Sequence, residues 1–217
     1  VVITNNGLIA AQTGTLTEAA ASQALGIYMV NGGFVENRAG GRILAEGVNA
    51  TGIIMGRGDF GVGAGTRPNI LNDGTIQAVS IGGAPSVGIL YASLPVETVL
   101  IRNNGLIAAD VAIRTGSATW PVSPSDATIE NSATGIIRGT IEGDLGSERV
   151  FNAGRIEGNL LLGDGADLFD NALGTHIDLF QRIVISPASV TAIQRSVLYL
   201  LPNFSLPLWS LLSSRKP

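Results

Sequence analysis

Apolar and polar positions alternate in short bursts along this chain, and the bursts recur. An apolar residue, one spacer and an asparagine are followed, after a short gap, by Gly-x-Ile; Ile101-Arg102-Asn103 before Gly105 and Ile107 is one instance. Alternation of this period marks a short strand with one buried face. The pattern stands at Ile3/Asn5/Gly7/Ile9, Val35/Asn37/Gly41/Ile43, Asn49/Gly52/Ile54 and Ile70/Asn72/Gly74/Ile76. It returns at Ile101/Asn103/Gly105/Ile107, Ile129/Asn131/Gly135/Ile137 and Val150/Asn152/Gly154/Ile156, with a stretched copy at Asn171/Gly174/Ile177. Two segments agree letter for letter, Asn5 to Ala11 with Asn103 to Ala109, and Thr51-Gly52-Ile53-Ile54 recurs as Thr134-Gly135-Ile136-Ile137.

The gaps between the motif isoleucines run from 11 to 34 residues. Helical repeats keep a steadier period, whereas a β-solenoid keeps its strands and lets its loops vary. Asn and Gly both tolerate positive φ, which predicts a sharp bend after each strand. The Ile two residues beyond the Gly is predicted to turn back into the core. Ile9, Ile54, Ile76, Ile107, Ile137 and Ile156 are therefore expected to stack in one buried column. With strands about 4.8 Å apart, an Asn at the same corner of each turn can bond to the Asn above and below it. A fainter second strand is carried by Ala24-Leu25-Gly26-Ile27, Ser86-Val87-Gly88-Ile89 and Asp110-Val111-Ala112-Ile113. The 11 residues between Ile43 and Ile54 are too few for a full turn; either two sides of one turn share the motif, or one copy is spurious. Residues 12–22, 56–68, 82–85 and 114–126 read as loops rich in Gly, Ala, Thr, Ser and Pro.

Composition narrows the classes. Glycine supplies 29 of 217 residues, above the usual share of about 7%. Charged residues are 14% and the mean hydropathy is +0.35, unlike a disordered chain. No apolar run reaches the roughly 18 residues of a membrane helix. The absence of cysteine excludes a disulfide scaffold, a thiolate zinc site and a thiol nucleophile. A single histidine, His176, excludes multi-His metal sites and two-His mechanisms within one chain. The net charge of −4 and unclustered basic residues argue against nucleic acid as a partner. The opening VVITNNG carries neither a start methionine nor a signal sequence and reads as a mature fragment.

The repeat, broken by Gly/Ala/Thr-rich loops, resembles the passenger regions of bacterial autotransporters and related haemagglutinin-type surface β-helices. The nearest stretch is Val150 to Gly158 with Leu161 to Phe169, and the resemblance covers residues 1–178. It implies a right-handed single-stranded parallel β-helix, exported and then displayed or released at the bacterial surface. It implies adhesion to a glycan or protein on a host or neighbouring cell. Leu162 to Phe169 also partly matches the calcium nonapeptide, with Gly163, Gly165, Asp167 and Phe169 in place and Leu162 where a glycine belongs. One turn earlier, Gly146 to Val150 aligns with Gly165 to Phe169, but 19 residues apart rather than nine. An ordinary acidic turn accounts for this, so no cofactor is required and stability is expected to depend little on calcium. Asp164, Asp167 and Asp170 are the candidate calcium ligands if a metal binds.

After Ile177 the repeat stops. Ser186-Pro187 opens a helical pattern that Pro202 closes, and a proline-interrupted apolar tail follows. Residues 179–217 are expected to form a helical and extended cap, with Leu198, Leu201, Phe204, Leu206 and Trp209 covering the open end. A partner-binding segment is the competing reading, and solenoid ends also invite self-association. Polysaccharide-binding or polysaccharide-cleaving β-helix enzymes are the functional alternative. They need carboxylates and basic residues converging on adjacent turns, for which Glu130, Arg138, Glu142, Arg155 and Glu157 are the candidates. Scattered solvated charge explains the same residues, and no nucleophile motif stands near His176. The sequence therefore favours a non-catalytic surface module.

Overall fold

The computed structural model describes residues 1–13, 23–30, 33–56, 68–82, 84–91, 98–116 and 126–177. Among them every regular element is a strand, and every pairing is parallel. The chain is all-β. The first repeat supplies β1 (Val2–Asn5), β2 (Leu8–Gln12) and β3 (Gln23–Met29). The second supplies β4 (Phe34–Asn37), β5 (Arg42–Gly47) and β6 (Asn49–Met55), and the third β7 (Ile70–Asn72), β8 (Thr75–Ser80) and β9 (Val87–Tyr91). The next two each have a short and a long strand: β10 (Val99–Asn103) with β11 (Leu106–Thr115), then β12 (Ala127–Asn131) with β13 (Ile136–Glu142). Then come β14 (Glu148–Asn152), β15 (Arg155–Glu157) and β16 (Leu160–Leu161), and finally β17 (Leu168–Asp170) and β18 (Thr175–Ile177).

Each strand pairs with its counterpart in the next repeat, which makes three ladders. The first runs β1-β4-β7-β10-β12-β14-β17 and the second β2-β5-β8-β11-β13-β15-β18. The third runs β3-β6-β9 to the far half of β11, and β13 continues it to β16. The long strands β11 and β13 each serve two ladders, with register shifts between Ala108 and Ile113 marking the bend. Inward side chains line up in columns. The first ladder stacks Ile3, Val35, Ile70, Ile101, Ile129, Val150 and Phe169. The second stacks Ile9, Ile43, Ile76, Ile107, Ile137 and Ile156, and the third Ile27, Ile53, Ile89, Ile113, Ile141 and Leu160. These columns meet in one apolar core.

The expected column holds with one correction. Ile43, not Ile54, is its second member; Ile54 lies on β6, between Tyr28 and Leu90, and is only half-buried. The Asn49/Gly52/Ile54 copy is thus the spurious one, a strand of the third ladder whose letters imitate the motif. The Thr-Gly-Ile-Ile match is a coincidence of letters: Ile53 faces the core in one copy, whereas Ile137, the last residue, does so in the other. In the stretched last copy His176 rather than Ile177 takes the column position, opposite Ile156. The fainter strand is the third ladder, as expected, and residues 114 and 115 belong to β11 rather than to a loop. Residues 178–217 lie outside the described residues, as do the expected helix and its Leu198, Leu201, Phe204, Leu206 and Trp209.

The asparagines form the anticipated ladder. Nδ2 of Asn5, Asn37, Asn72, Asn103, Asn131 and Asn152 each donates to Oδ1 of the next, at 2.8, 2.7, 2.8, 2.8, 2.7 and 2.6 Å, ending on Asn171. Positive φ is not why the motif needs glycine. The described glycines with positive φ are Gly33, Gly40, Gly116, Gly139, Gly158 and Gly163, none of them a motif glycine. The cause is close approach: a Cβ on Gly105 would overlap the Gly74 carbonyl oxygen and lie 2.9 Å from Gly74 N. The equivalent Gly7, in the first repeat, has nothing within 4 Å of a Cβ. Gly105→Ala is expected to cost about 2–4 kcal/mol and Gly7→Ala no more than about 0.5 kcal/mol, read by denaturant unfolding.

Candidate functional site

The charged residues proposed to line one face do not converge. Glu130 lies on the first ladder and pairs with Arg102 at 2.7 Å. Glu142 lies at the end of β13 and pairs with Arg114 at 2.6 Å. Arg138, Arg155 and Glu157 do meet on the second ladder, where Glu157 accepts from both arginines at 2.7 and 2.6 Å. The Arg138 hydrogen bond, against some burial, holds the Glu157 carboxyl below its ordinary range. Each carboxylate in this set is matched to a guanidinium, as suits outward cross-strand pairs. His176 bonds through Nε2 to the Gly158 carbonyl at 2.8 Å and meets the Phe169 ring edge-on at 5.5 Å.

A second group was only half legible. Arg149 pairs with Leu168, so Glu148 and Asp167 hold the same position in successive repeats. That position points inward, and the two previous repeats fill it with Val99 and Ala127, both buried. Glu148 is fully buried and Asp167 nearly so. Thr115 Oγ1 donates to Glu148 Oε1 at 2.8 Å, and the Glu148 backbone N–H donates to Asp167 Oδ1 at 3.0 Å. Glu148 Oε2 and Asp167 Oδ2 are buried with no hydrogen-bond partner among the described residues. Burial pushes the Glu148 carboxyl up to about 8, opposed by the Thr115 hydrogen bond and helped by repulsion from Asp167 and Asp144 and by a proton it can share with the Asp167 carboxyl. Burial also raises Asp167, against the Glu148 N–H.

A folded-state value above the unfolded one means that protonated Glu148 stabilises the fold. That contribution is complete below the unfolded value of 4.5 and is lost as pH rises through about 8. In chelator, the protein is therefore expected to melt several degrees lower at pH 9 than at pH 5, and Glu148→Gln to remove most of that difference. Unchanged pH dependence in the variant would show that other groups cause it.

The sequence-proposed metal residues separate. Asp167 faces inward and Asp164 lies at the adjoining turn, where its N–H donates to the Asp144 carbonyl at 2.8 Å. Asp170 lies instead on the outer face of β17, level with Phe151, with Oδ1 accepting from Ala172 N at 3.0 Å. Among the described residues no three His, Asp or Glu side chains are arranged to hold a metal together.

On that outer face lies a groove of about 350 Å³. Arg102, Glu130, Phe151 and Asp170 occupy one outward column of the first ladder. Phe151 is 37% exposed and Leu173 84%. They line it together with Ala153, Ala172, the Arg102–Glu130 pair and Asp170. An apolar surface with a few convergent polar groups is the usual form of a ligand site. The sequence concealed it because these residues are brought together only by register. Comparison with known proteins returns no matching family model, no matching curated protein and no matching solved structure.

Proposed function

We propose that this chain is a right-handed single-stranded parallel β-helix that serves as a structural and adhesive module, secreted or displayed at a bacterial cell surface. Its strands pair in parallel with the equivalent strand one repeat later, and crossovers between parallel strands are right-handed in nearly all proteins. The matched ion pairs favour a non-catalytic role, because no free carboxylate pair faces the outer surface of the described ladders beside a basic residue. The resemblance to autotransporter passengers and haemagglutinin-type β-helices supports the bacterial location. Among the described residues β1 and β17 pair on one side only, which suits self-association through the ends.

The observation that carries the adhesive reading is the groove beside Phe151. Its exposed ring and the lining carboxylates suit the apolar face and hydroxyl groups of a sugar, which favours the polysaccharide-binding alternative over a protein partner. Binding to bacterial and host-cell polysaccharides, immobilised as an array, tests it. Phe151→Ala is expected to weaken capture at least tenfold while leaving the melting temperature nearly unchanged. Capture that is equal in the variant, or absent from the parent chain, would remove the groove from the proposal.

A further inference from the structure

We propose that the corner joining the third ladder to the first is a divalent-cation site of the calcium type, with Glu148 and Asp167 as its bridging carboxylates. The inference stands apart from the adhesive reading. Two acidic side chains occupy one inward position in successive strands, about 4.8 Å apart, where the preceding repeats place Val99 and Ala127. Their orientation is fixed on one side by Thr115 and by the Glu148 N–H. On the other side each offers a buried oxygen that no donor among the described residues meets. Two carboxylates stacked in this way, removed from water, either share a proton or take a cation between them, and the cation allows both to ionise.

The surroundings are rich in oxygen. Glu148 Oε2 and the Leu162 carbonyl oxygen both pack against Gly143, where a Cβ would lie 2.6 Å from the first and overlap the second, so only glycine is tolerated beside the pair. Asp144 and Asp164 follow Gly143 and Gly163 at the same corner, are linked through the Asp144 carbonyl, and add negative charge. None of these four carboxylates belongs to an ion pair among the described residues. Calcium takes oxygen donors at about 2.3–2.6 Å in flexible geometry, so one ion can bridge oxygens one strand spacing apart; magnesium demands a tighter octahedron. The two carboxylates and the Leu162 carbonyl would supply the protein's part of the oxygen shell. Glu148 thus replaces Asp170 in the ligand set proposed from sequence, and the stability of the chain should depend on calcium after all.

The test uses the full chain freed of metal by chelator. Calcium is titrated by calorimetry, and terbium by luminescence sensitised through Tyr91, which pairs with Thr115 beside the site. One ion per chain and a rise in melting temperature with calcium are expected. Glu148→Gln and Asp167→Asn should each weaken binding at least tenfold, and both should fold, because each removes a buried like charge. Glu36→Gln, in the second repeat, should leave binding unchanged. Failure of either ion to bind at millimolar concentration would overturn the proposal and leave a shared proton between the two carboxyls. Binding that persists in both amide variants would also overturn it.

Discussion

Asn103→Ala is expected to destabilise the chain by about 3–6 kcal/mol, because it strips partners from several buried groups at once. Asn103 Nδ2 donates to Asn131 Oδ1 and lies 3.1 and 3.2 Å from the carbonyls of Gly105 and Ile136, while its Oδ1 accepts from Asn72 at 2.8 Å. The methyl group replaces none of these bonds, and water cannot enter a position that is fully buried. Asn103→Asp should be worse at neutral pH, since two acceptors would then face each other and a charge would be buried. Asn5→Ala should cost less, because Asn5 makes a single ladder bond. Urea unfolding of the three variants checks the order, and equal losses would mean that the ladder does not act as a connected chain.

Ile107→Ala is expected to cost about 2–5 kcal/mol, and Ile54→Ala less than about 1 kcal/mol, although the two isoleucines stand at the same place in the repeated motif. Ile107 is fully buried between Ile76 and Ile137. Ile54 faces outward from β6 and is half-buried. Truncating the first leaves a cavity in a column held rigid by backbone pairing above and below, so the neighbours cannot collapse into it. Chemical denaturation distinguishes the pair directly. Similar losses at both positions would return Ile54 to the core and shift the register of β6 by one residue.

The Asn–Gly–Ile spacing made the ladders legible because a parallel, in-register stack puts equivalent residues on the same neighbours in every turn. Thus seven of the eight motif asparagines fall in one hydrogen-bonded row, Asn49 lying on the third ladder instead, and all but one of the column isoleucines stand where the spacing puts them. Ile54 misled because Ile53 and Ile54 are both apolar, so alternation could not say which of them faces inward. Pairing with Ile27 and Ile89 decides it. The motif glycines were read as turn formers, whereas their cause is the carbonyl of the previous repeat, a contact that exists only after stacking. The alignment of Glu148 with Asp167 was visible in sequence. Its inward direction is signalled only by Val99 and Ala127, which stand at the same offset before Asn103 and Asn131. The groove was illegible, since Arg102, Glu130, Phe151 and Asp170 are far apart in the chain and meet only through register.

The described repeats stack in one in-register pile. The distance between spin labels at Thr4→Cys and Asp170→Cys, measured by pulsed electron paramagnetic resonance, tests it most directly. The native chain has no cysteine to interfere. Thr4 and Asp170 are the two ends of one outward column that passes through Glu36, Leu71, Arg102, Glu130 and Phe151. Six strand spacings predict a single narrow distribution centred near about 29 Å, widened only by the label linkers. A broad distribution, or one centred beyond about 40 Å, would contradict the stack.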